Sequence, residues 1–228
     1  MPVFVLVNST ADRRFLLTNP NGYSLTYNGL VMAIEKRPSH GWQAFGSYTY
    51  SRVDGLQVSS GTTPGGAQSS TVAPIAPFVP NFGRDPNDLT NARGRLPNDR
   101  PHIFRMMGTF DVPRTGVKIA ANLQYFSGKP WAASTQISLP QGDQRVLLES
   151  RGTRRLSPQT LLDVRISKAI TVGQLGRIEL LMDVLNALND SAEEELASDN
   201  RFSPNFAQPT IFMDPRRAMF GVRLNLGR

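Results

Sequence analysis

Two runs that alternate apolar and polar residues, Ile103 to Val112 and Val117 to Tyr125, are separated only by Pro113-Arg114-Thr115-Gly116. In the second run Val117, Ile119, Ala121, Leu123 and Tyr125 share one side, and Lys118, Ala120, Asn122 and Gln124 share the other. Successive side chains of a strand point to opposite faces, so this period predicts a hairpin with one apolar face and one polar face. The pattern recurs at Trp42, Ala44, Gly46, Tyr48 and Tyr50, at Leu162, Val164 and Ile166, and at Ile178, Leu180, Met182 and Val184. A last run, Ala218, Phe220, Val222, Leu224 and Leu226, closes the chain. Several runs approach the ~9–11 residues that a tilted strand needs to cross a bilayer. A soluble β-sandwich also alternates, so period alone leaves water and lipid both open.

The links between runs favour lipid. Arg37 to His40, Pro113 to Gly116 and Thr171 to Gly176 are short, while residues 54–100, 129–159 and 189–214 are long. Short and long links alternate, so all short ones fall at one end of the strands, as in bacterial outer-membrane barrels with short periplasmic turns and long extracellular loops. The expected fold is all-β, an antiparallel meander of transmembrane strands near residues 3–8, 23–36, 41–53, 101–112, 117–128, 160–170, 176–187 and 216–226. Trp42 beside a short link, and Tyr48, Tyr50 and Tyr125 towards long ones, are the candidate membrane-interface aromatics. Trp42 and Tyr50 are eight positions apart on one face, roughly 20 Å along a tilted strand and near the ~25 Å apolar band of such barrels.

Composition restricts the choice further. Only 39% of residues are hydrophobic and no run of about eighteen is apolar, which excludes a transmembrane helix but not a barrel, whose strands dilute their apolar residues by alternation. There is no cysteine, so disulfides and thiolate metal sites are excluded. The start, Met1-Pro2-Val3-Phe4-Val5-Leu6-Val7-Asn8, lacks the basic region and cleavage site of a secretory signal. A protein bound for the outer membrane needs one, so the expectation is the rear part of something longer or a displaced reading frame.

The net charge of +7 raises nucleic acid as a partner, but the basic residues are scattered rather than gathered on one surface, and no nucleic-acid partner is expected. Glu35, Arg105, Asp111, Lys118, Asp163, Arg165, Arg177, Glu179, Asp183 and Arg223 all fall on polar strand faces, and this mixture of signs predicts ion pairs lining a barrel interior. Arg93-Gly94-Arg95, Arg151 with Arg154-Arg155, and Arg216-Arg217 lie in or beside long links and read as solvated loop charge, with anionic outer-leaflet lipid or an acidic ligand as the alternative. Ser59 to Gly66 and Ala73 to Pro80 are rich in Gly, Ser and Pro and carry no phosphate-loop signature. Ser191 followed by Glu194 matches a capping box and predicts a short helix from Ala192 to Ala197. Its adjacent glutamates lack the spacing of a calcium loop, so neither metal nor cofactor is expected. Asp99 and His102 are the one candidate acid–base pair, without a nucleophile motif beside them, and no enzyme is expected.

Several segments together carry a family likeness. They are Tyr27-Asn28-Gly29-Leu30 through Glu35-Lys36-Arg37, Gly41-Trp42 with Ser47 to Ser51, Gly94 to His102, Tyr125 to Trp131, Leu162 to Lys168, Asp183 to Asn189, and Pro215-Arg216-Arg217 with Gly221 to Leu224. In this order and spacing the chain resembles the β-barrel of TonB-dependent outer-membrane receptors of the carboxypeptidase-regulatory-like, Oar-like group.

The resemblance implies a barrel of twenty-two strands, of which this chain is the C-terminal portion, about the last third. It implies outer-membrane localisation and a receptor that binds a ligand at the cell surface and imports it with energy from the TonB complex. Implied partners are outer-membrane lipid and lipopolysaccharide, the barrel-assembly machinery, and TonB itself only through a plug domain that these residues do not contain. The assembly signal falls on Phe220, Val222, Leu224 and Leu226, although the family usually ends on an aromatic residue and this chain ends Leu226-Gly227-Arg228. No ligand-binding residue carries over, because the matched segments are structural. By strand count alone, seven strands plus residues 4–8 also permit a self-contained eight-stranded barrel with a structural or adhesin role.

Overall fold

The structure, a computed structural model, describes residues 2–12, 24–56, 85–173 and 176–226. Tyr23, the stretches Ser59 to Gly66 and Ala73 to Pro80, and Gly227-Arg228 lie outside the described residues. The protein is an all-β antiparallel meander. Its main sheet consists of β1 (Leu25–Ser39), β2 (Trp42–Leu56), β4 (His102–Val112), β5 (Val117–Phe126), β10 (Gln159–Val172), β11 (Gly176–Leu185) and β14 (Arg217–Leu226), each paired to the next. The short strand β3 (Arg93–Arg95) extends the far end of β2.

Turn chemistry sets one end of this sheet. His40 and Gly41 both have positive φ, 54° and 79°, the geometry of a two-residue hairpin turn whose twist matches that of the strands it joins. β1 therefore runs to Ser39, past the expected end, and its register shifts between Lys36 and Ser39, where Pro38 has no N–H to give the ladder. The β4–β5 turn and the β10–β11 turn lie at the same end, and all three long connections lie at the other.

The long connections contain their own small sheets. β6 (Pro130–Trp131) pairs with β9 (Arg154–Arg155), β7 (Ser134–Leu139) with β8 (Gly142–Leu147), and β12 (Glu193–Leu196) with β13 (Pro209–Phe212). The last pair replaces the helix expected from Ala192 to Ala197. Asp190, not Ser191, caps this stretch: its carboxylate accepts the N–H groups of Ala192 at 3.0 Å and Thr160 at 2.5 Å. Glu193 accepts from the Ser157 N–H at 2.7 Å and Glu194 from Gln159 Nε2 at 3.3 Å, so neither glutamate reaches back to complete a capping box. Residues 3–8, expected as a strand, form none and lie against the long connections.

Burial is inverted relative to a water-soluble protein. The buried apolar residues, among them Leu96, Trp131, Val146, Leu147, Leu156 and Met213, belong to the long connections, whereas Ile34, Trp42, Met106, Phe110, Ile166, Leu180, Phe220 and Val222 of the main sheet are exposed. Among the described residues no second sheet covers them, which removes the sandwich alternative. An apolar surface spanning seven strands is far larger than a soluble monomer exposes. No described helix is long and apolar enough to cross a membrane.

Candidate functional site

Residues directly opposed on neighbouring strands share a face, so the register fixes where each stripe points. Ile34 opposes Gly46, Gly46 opposes Met106, Met106 opposes Leu123, and Leu123 opposes Leu162. Four residues nearer the short-turn end, Trp42, Phe110, Ile119, Ile166, Met182 and Phe220 form a second continuous row. Every apolar stripe read from the sequence thus lands on the same face of the sheet.

The edges of this face carry the four aromatics. Trp42 lies at the short-turn end, and Tyr48, Tyr50 and Tyr125 lie towards the long-connection end. Lys36 is on the apolar face too, and its ammonium bends to the short-turn end, donating to the Arg37 carbonyl at 2.7 Å and to Ser39 Oγ while standing 4.7 Å from the Trp42 ring centroid. A cation reaching from an apolar belt to its polar edge is snorkelling. At the other edge Tyr48 Oη and His102 Nδ1 are 2.7 Å apart, and the Tyr50 and His102 ring centroids are 5.4 Å apart.

The opposite face carries all ten charged residues singled out in the sequence. The row Glu35, Phe45, Met107, Asn122, Asp163 fixes its register on five strands, and Arg165, Asp183 and Met219 continue it to β14. A cavity of about 620 Å³ is lined by residues of all seven strands, including Glu35 on β1 and Met219 on β14, so this is the concave face. Arg165 grips Asp183 with two hydrogen bonds, at 2.5 and 2.8 Å, and Lys118–Asp111 and Arg223–Glu179 pair at 3.3 Å. The Arg105 guanidinium lies 5.4 Å from the Phe126 ring. The sequence did not reveal the apolar share of this face, Phe45, Met107 and Met219, which occupy positions in polar registers.

Arg216 and Arg217 are exposed, as expected of solvated charge, but Arg95, Arg151, Arg154 and Arg155 are tied into the long connections. Asp99 is fully buried and accepts from the Val53 N–H at 2.7 Å and from the Arg155 guanidinium, which also donates to the Asp99 carbonyl at 2.8 Å and the Gly128 carbonyl at 3.0 Å. Arg95 approaches the same carboxylate at 4.0 Å. Arg151 is buried and donates to the Ala92 carbonyl at 2.8 Å. Backbone packs tightly here: a Cβ on Gly128 would stand 1.7 Å from the Leu156 oxygen, so only glycine fits. Arg154 lies 5.2 Å from the Trp131 ring and holds Glu149 at 2.6 Å. Burial pushes the Glu149 carboxyl up, but the hydrogen bonds from Arg154 and the Ala133 N–H outweigh it and hold the group below the usual range. Glu193 is likewise held low, its burial outweighed by hydrogen bonds led by the Ser157 N–H.

The candidate acid–base pair does not assemble. Asp99 is locked inside this arginine cluster, while His102 faces Tyr48 and Tyr50 at the rim of the apolar belt. Among the described residues, no group of three or more histidines and carboxylates is placed to hold a metal ion.

A curved antiparallel sheet with an apolar outer belt, aromatic edges and a charged concave wall defines a membrane-spanning β-barrel protein. The sequence profile described as an outer membrane beta barrel domain matches residues 11–143, more than half of the 228-residue chain. The protein belongs to this outer-membrane β-barrel family. No curated protein and no solved structure matches the chain.

Proposed function

We propose that the chain is the C-terminal part of the barrel of a TonB-dependent outer-membrane receptor, Oar-like in kind, which binds a ligand at the cell surface and imports it. The carrying observation is that, among the described residues, the sheet stays open. β1 and β14 are its two edges, and both run from the long-connection end to the short-turn end. An antiparallel barrel joins such edges only through an odd number of further strands. Twenty-two strands, the size of plugged outer-membrane transporters, would require fifteen beyond these seven, an odd number. Unpaired strand edges in lipid cost several kcal/mol per unsatisfied group, so seven strands alone do not make a stable transporter.

In this reading the concave charged wall faces a plug domain, through which alone TonB acts, and the packed long connections form the outer surface. Outer-membrane lipid and lipopolysaccharide surround the belt, the assembly machinery reads β14, and the site catalyses nothing. The self-contained eight-stranded alternative is less well supported, because the segment that would supply its eighth strand is engaged with the long connections instead.

The test is expression of the 228-residue chain beside the longer product encoded by its genomic locus, both refolded into phospholipid vesicles. The longer product is expected to give a protease-resistant species whose gel mobility changes on heating, and the short chain is not. A heat-modifiable, protease-resistant monomer from the short chain alone would sink the receptor-fragment reading in favour of the small barrel.

A further inference from the structure

Residues 2–8 lie against the long connections, and the hydrogen bonds that hold Phe4 and Leu6 there end on their main-chain groups. The Phe4 N–H donates to Asn87 Oδ1 at 2.8 Å, and Asn87 Nδ2 donates back to the Phe4 carbonyl at 2.8 Å. Gln141, on the turn between β7 and β8, repeats the arrangement: its Nε2 donates to the Phe4 carbonyl at 2.8 Å, and its Oε1 accepts the Leu6 N–H at 3.0 Å. In an extended chain the N–H and C=O of one residue point to the same edge as those of the residue two further on. Two side-chain amides therefore read one strand edge, as a neighbouring strand does in β-augmentation.

Asn87 is held by its own loop as well as by the segment it reads. Asn87 is only 1% exposed, on a 3₁₀ turn (Pro86–Leu89) capped by Asp85 with Asp88 closing the capping box. The Asp85 carboxylate accepts Asn87 Nδ2 at 2.6 Å and the Asn87 N–H at 2.9 Å. A carboxylate only accepts, so it fixes which end of the Asn87 amide is NH₂ and leaves Oδ1 to meet an incoming N–H. The held segment, by contrast, is loosely seated: Phe4 is 48% exposed and Val7 92%.

We propose that Asn87 and Gln141 form a binding site for an extended polypeptide on the long-connection surface, filled in cis by residues 2–8 and open to a peptide in trans when that segment withdraws. Recognition falls on backbone, so the ligand class is an extended peptide with little side-chain selectivity. The proposal rests on the receptor reading only in placing this surface outside the cell. Its test reads binding without transport, so a failed uptake assay and a failed binding assay remain distinguishable.

The probe is a fluorescein-labelled heptapeptide, Pro-Thr-Phe-Thr-Leu-Thr-Asn, whose threonines keep it extended and out of micelles. The protein is the full chain in detergent, with and without Phe4→Pro and Leu6→Pro, which delete both N–H groups that the amides accept. Fluorescence anisotropy is expected to show saturable binding at least about tenfold tighter to the doubly substituted chain, because the loss of two hydrogen bonds frees the site. Adding Asn87→Ala is expected to weaken it about tenfold or more, and Gln141→Ala, on a surface turn where folding is not at risk, to weaken it severalfold. N-methylation of the peptide's phenylalanine should abolish binding, and shuffling its side chains should not. No saturable binding to a substituted chain whose circular dichroism is unchanged, or binding indifferent to Gln141→Ala, overturns the proposal.

Discussion

The Asp163 carboxylate, on β10, accepts the main-chain N–H of Asn186, just past the end of β11, at 3.0 Å. Asn186 adopts φ 48° and is almost fully buried, and its side chain donates to the carbonyls of Asp190 and Asp214 at 2.9 and 2.8 Å and accepts the Asp190 N–H at 3.0 Å. One residue thus ties the entry of β10 and the exit of β11 to the entry of β14. It also joins two of the segments that carry the family likeness, Leu162 to Lys168 and Asp183 to Asn189, which gives those segments a structural reason to occur together.

Removing that side chain leaves buried polar partners unsatisfied. Asn186→Ala is expected to destabilise the chain by about 2–3 kcal/mol, and Asn186→Gly by less, because glycine accepts the positive φ. Asp163→Asn keeps an acceptor and should cost under about 1 kcal/mol. Urea unfolding of the detergent-refolded chain, followed by far-UV circular dichroism, ranks the three; a harmless Asn186→Ala would deny the residue this role.

Neighbouring residues on opposite faces offer a sharper test of the lipid belt. Leu123 stands in the apolar row between Met106 and Leu162, and Asn122 stands in the polar row between Met107 and Asp163. Leu123→Arg is expected to cost the longer product about 2–4 kcal/mol of folding into vesicles and Asn122→Arg close to nothing, because only the first places charge in hydrocarbon. Equal costs would mean that the faces have been assigned wrongly.

The faces were legible in the sequence because lipid and water demand opposite side chains at every second residue, and five separate stripes agree once the register is known. The long connections were not legible. Their hairpins are short and polar, so no period marks them, and the signal at Ser191 pointed to a helix because nothing local shows that Glu193 and Glu194 are engaged by Ser157 and Gln159. Asn87 meets Phe4 across 83 positions and Leu6 meets Gln141 across 135, separations at which no sequence pattern reports contact. The buried role of Asp99 was hidden for the same reason, since Arg155 is a loop arginine until the fold brings them together.

Acid should loosen the long connections at a defined place. The Glu149 carboxyl is held below its ordinary range when folded, so its contribution is fully present above the unfolded value of about 4.3 and is lost as pH falls through the lower folded value. Arg154 stacks on Trp131, so release of Glu149 should reach the indole. In a Trp42→Phe background, Trp131 emission is expected to shift as the pH falls below the ordinary glutamate range. Glu149→Gln, which cannot titrate, should abolish that step, and a step that survives the substitution belongs to another group.

The open sheet makes the most direct prediction. The chain has no cysteine, so any introduced pair reports one contact without ambiguity. Gly108 on β4 and Ala121 on β5 are direct partners, and Gly108→Cys with Ala121→Cys should cross-link within one chain, the Cα separation of paired strands lying within the roughly 4.4–6.8 Å that a disulfide spans. Ile34→Cys on β1 with Phe220→Cys on β14 should give no intramolecular bond, because six strand-to-strand steps separate these edges and they run in the same direction. Mild oxidation in detergent followed by non-reducing gel electrophoresis reads both pairs. A quantitative monomeric Ile34–Phe220 cross-link would show that seven strands close on themselves, and the requirement for further strands, with the receptor reading built on it, would fall.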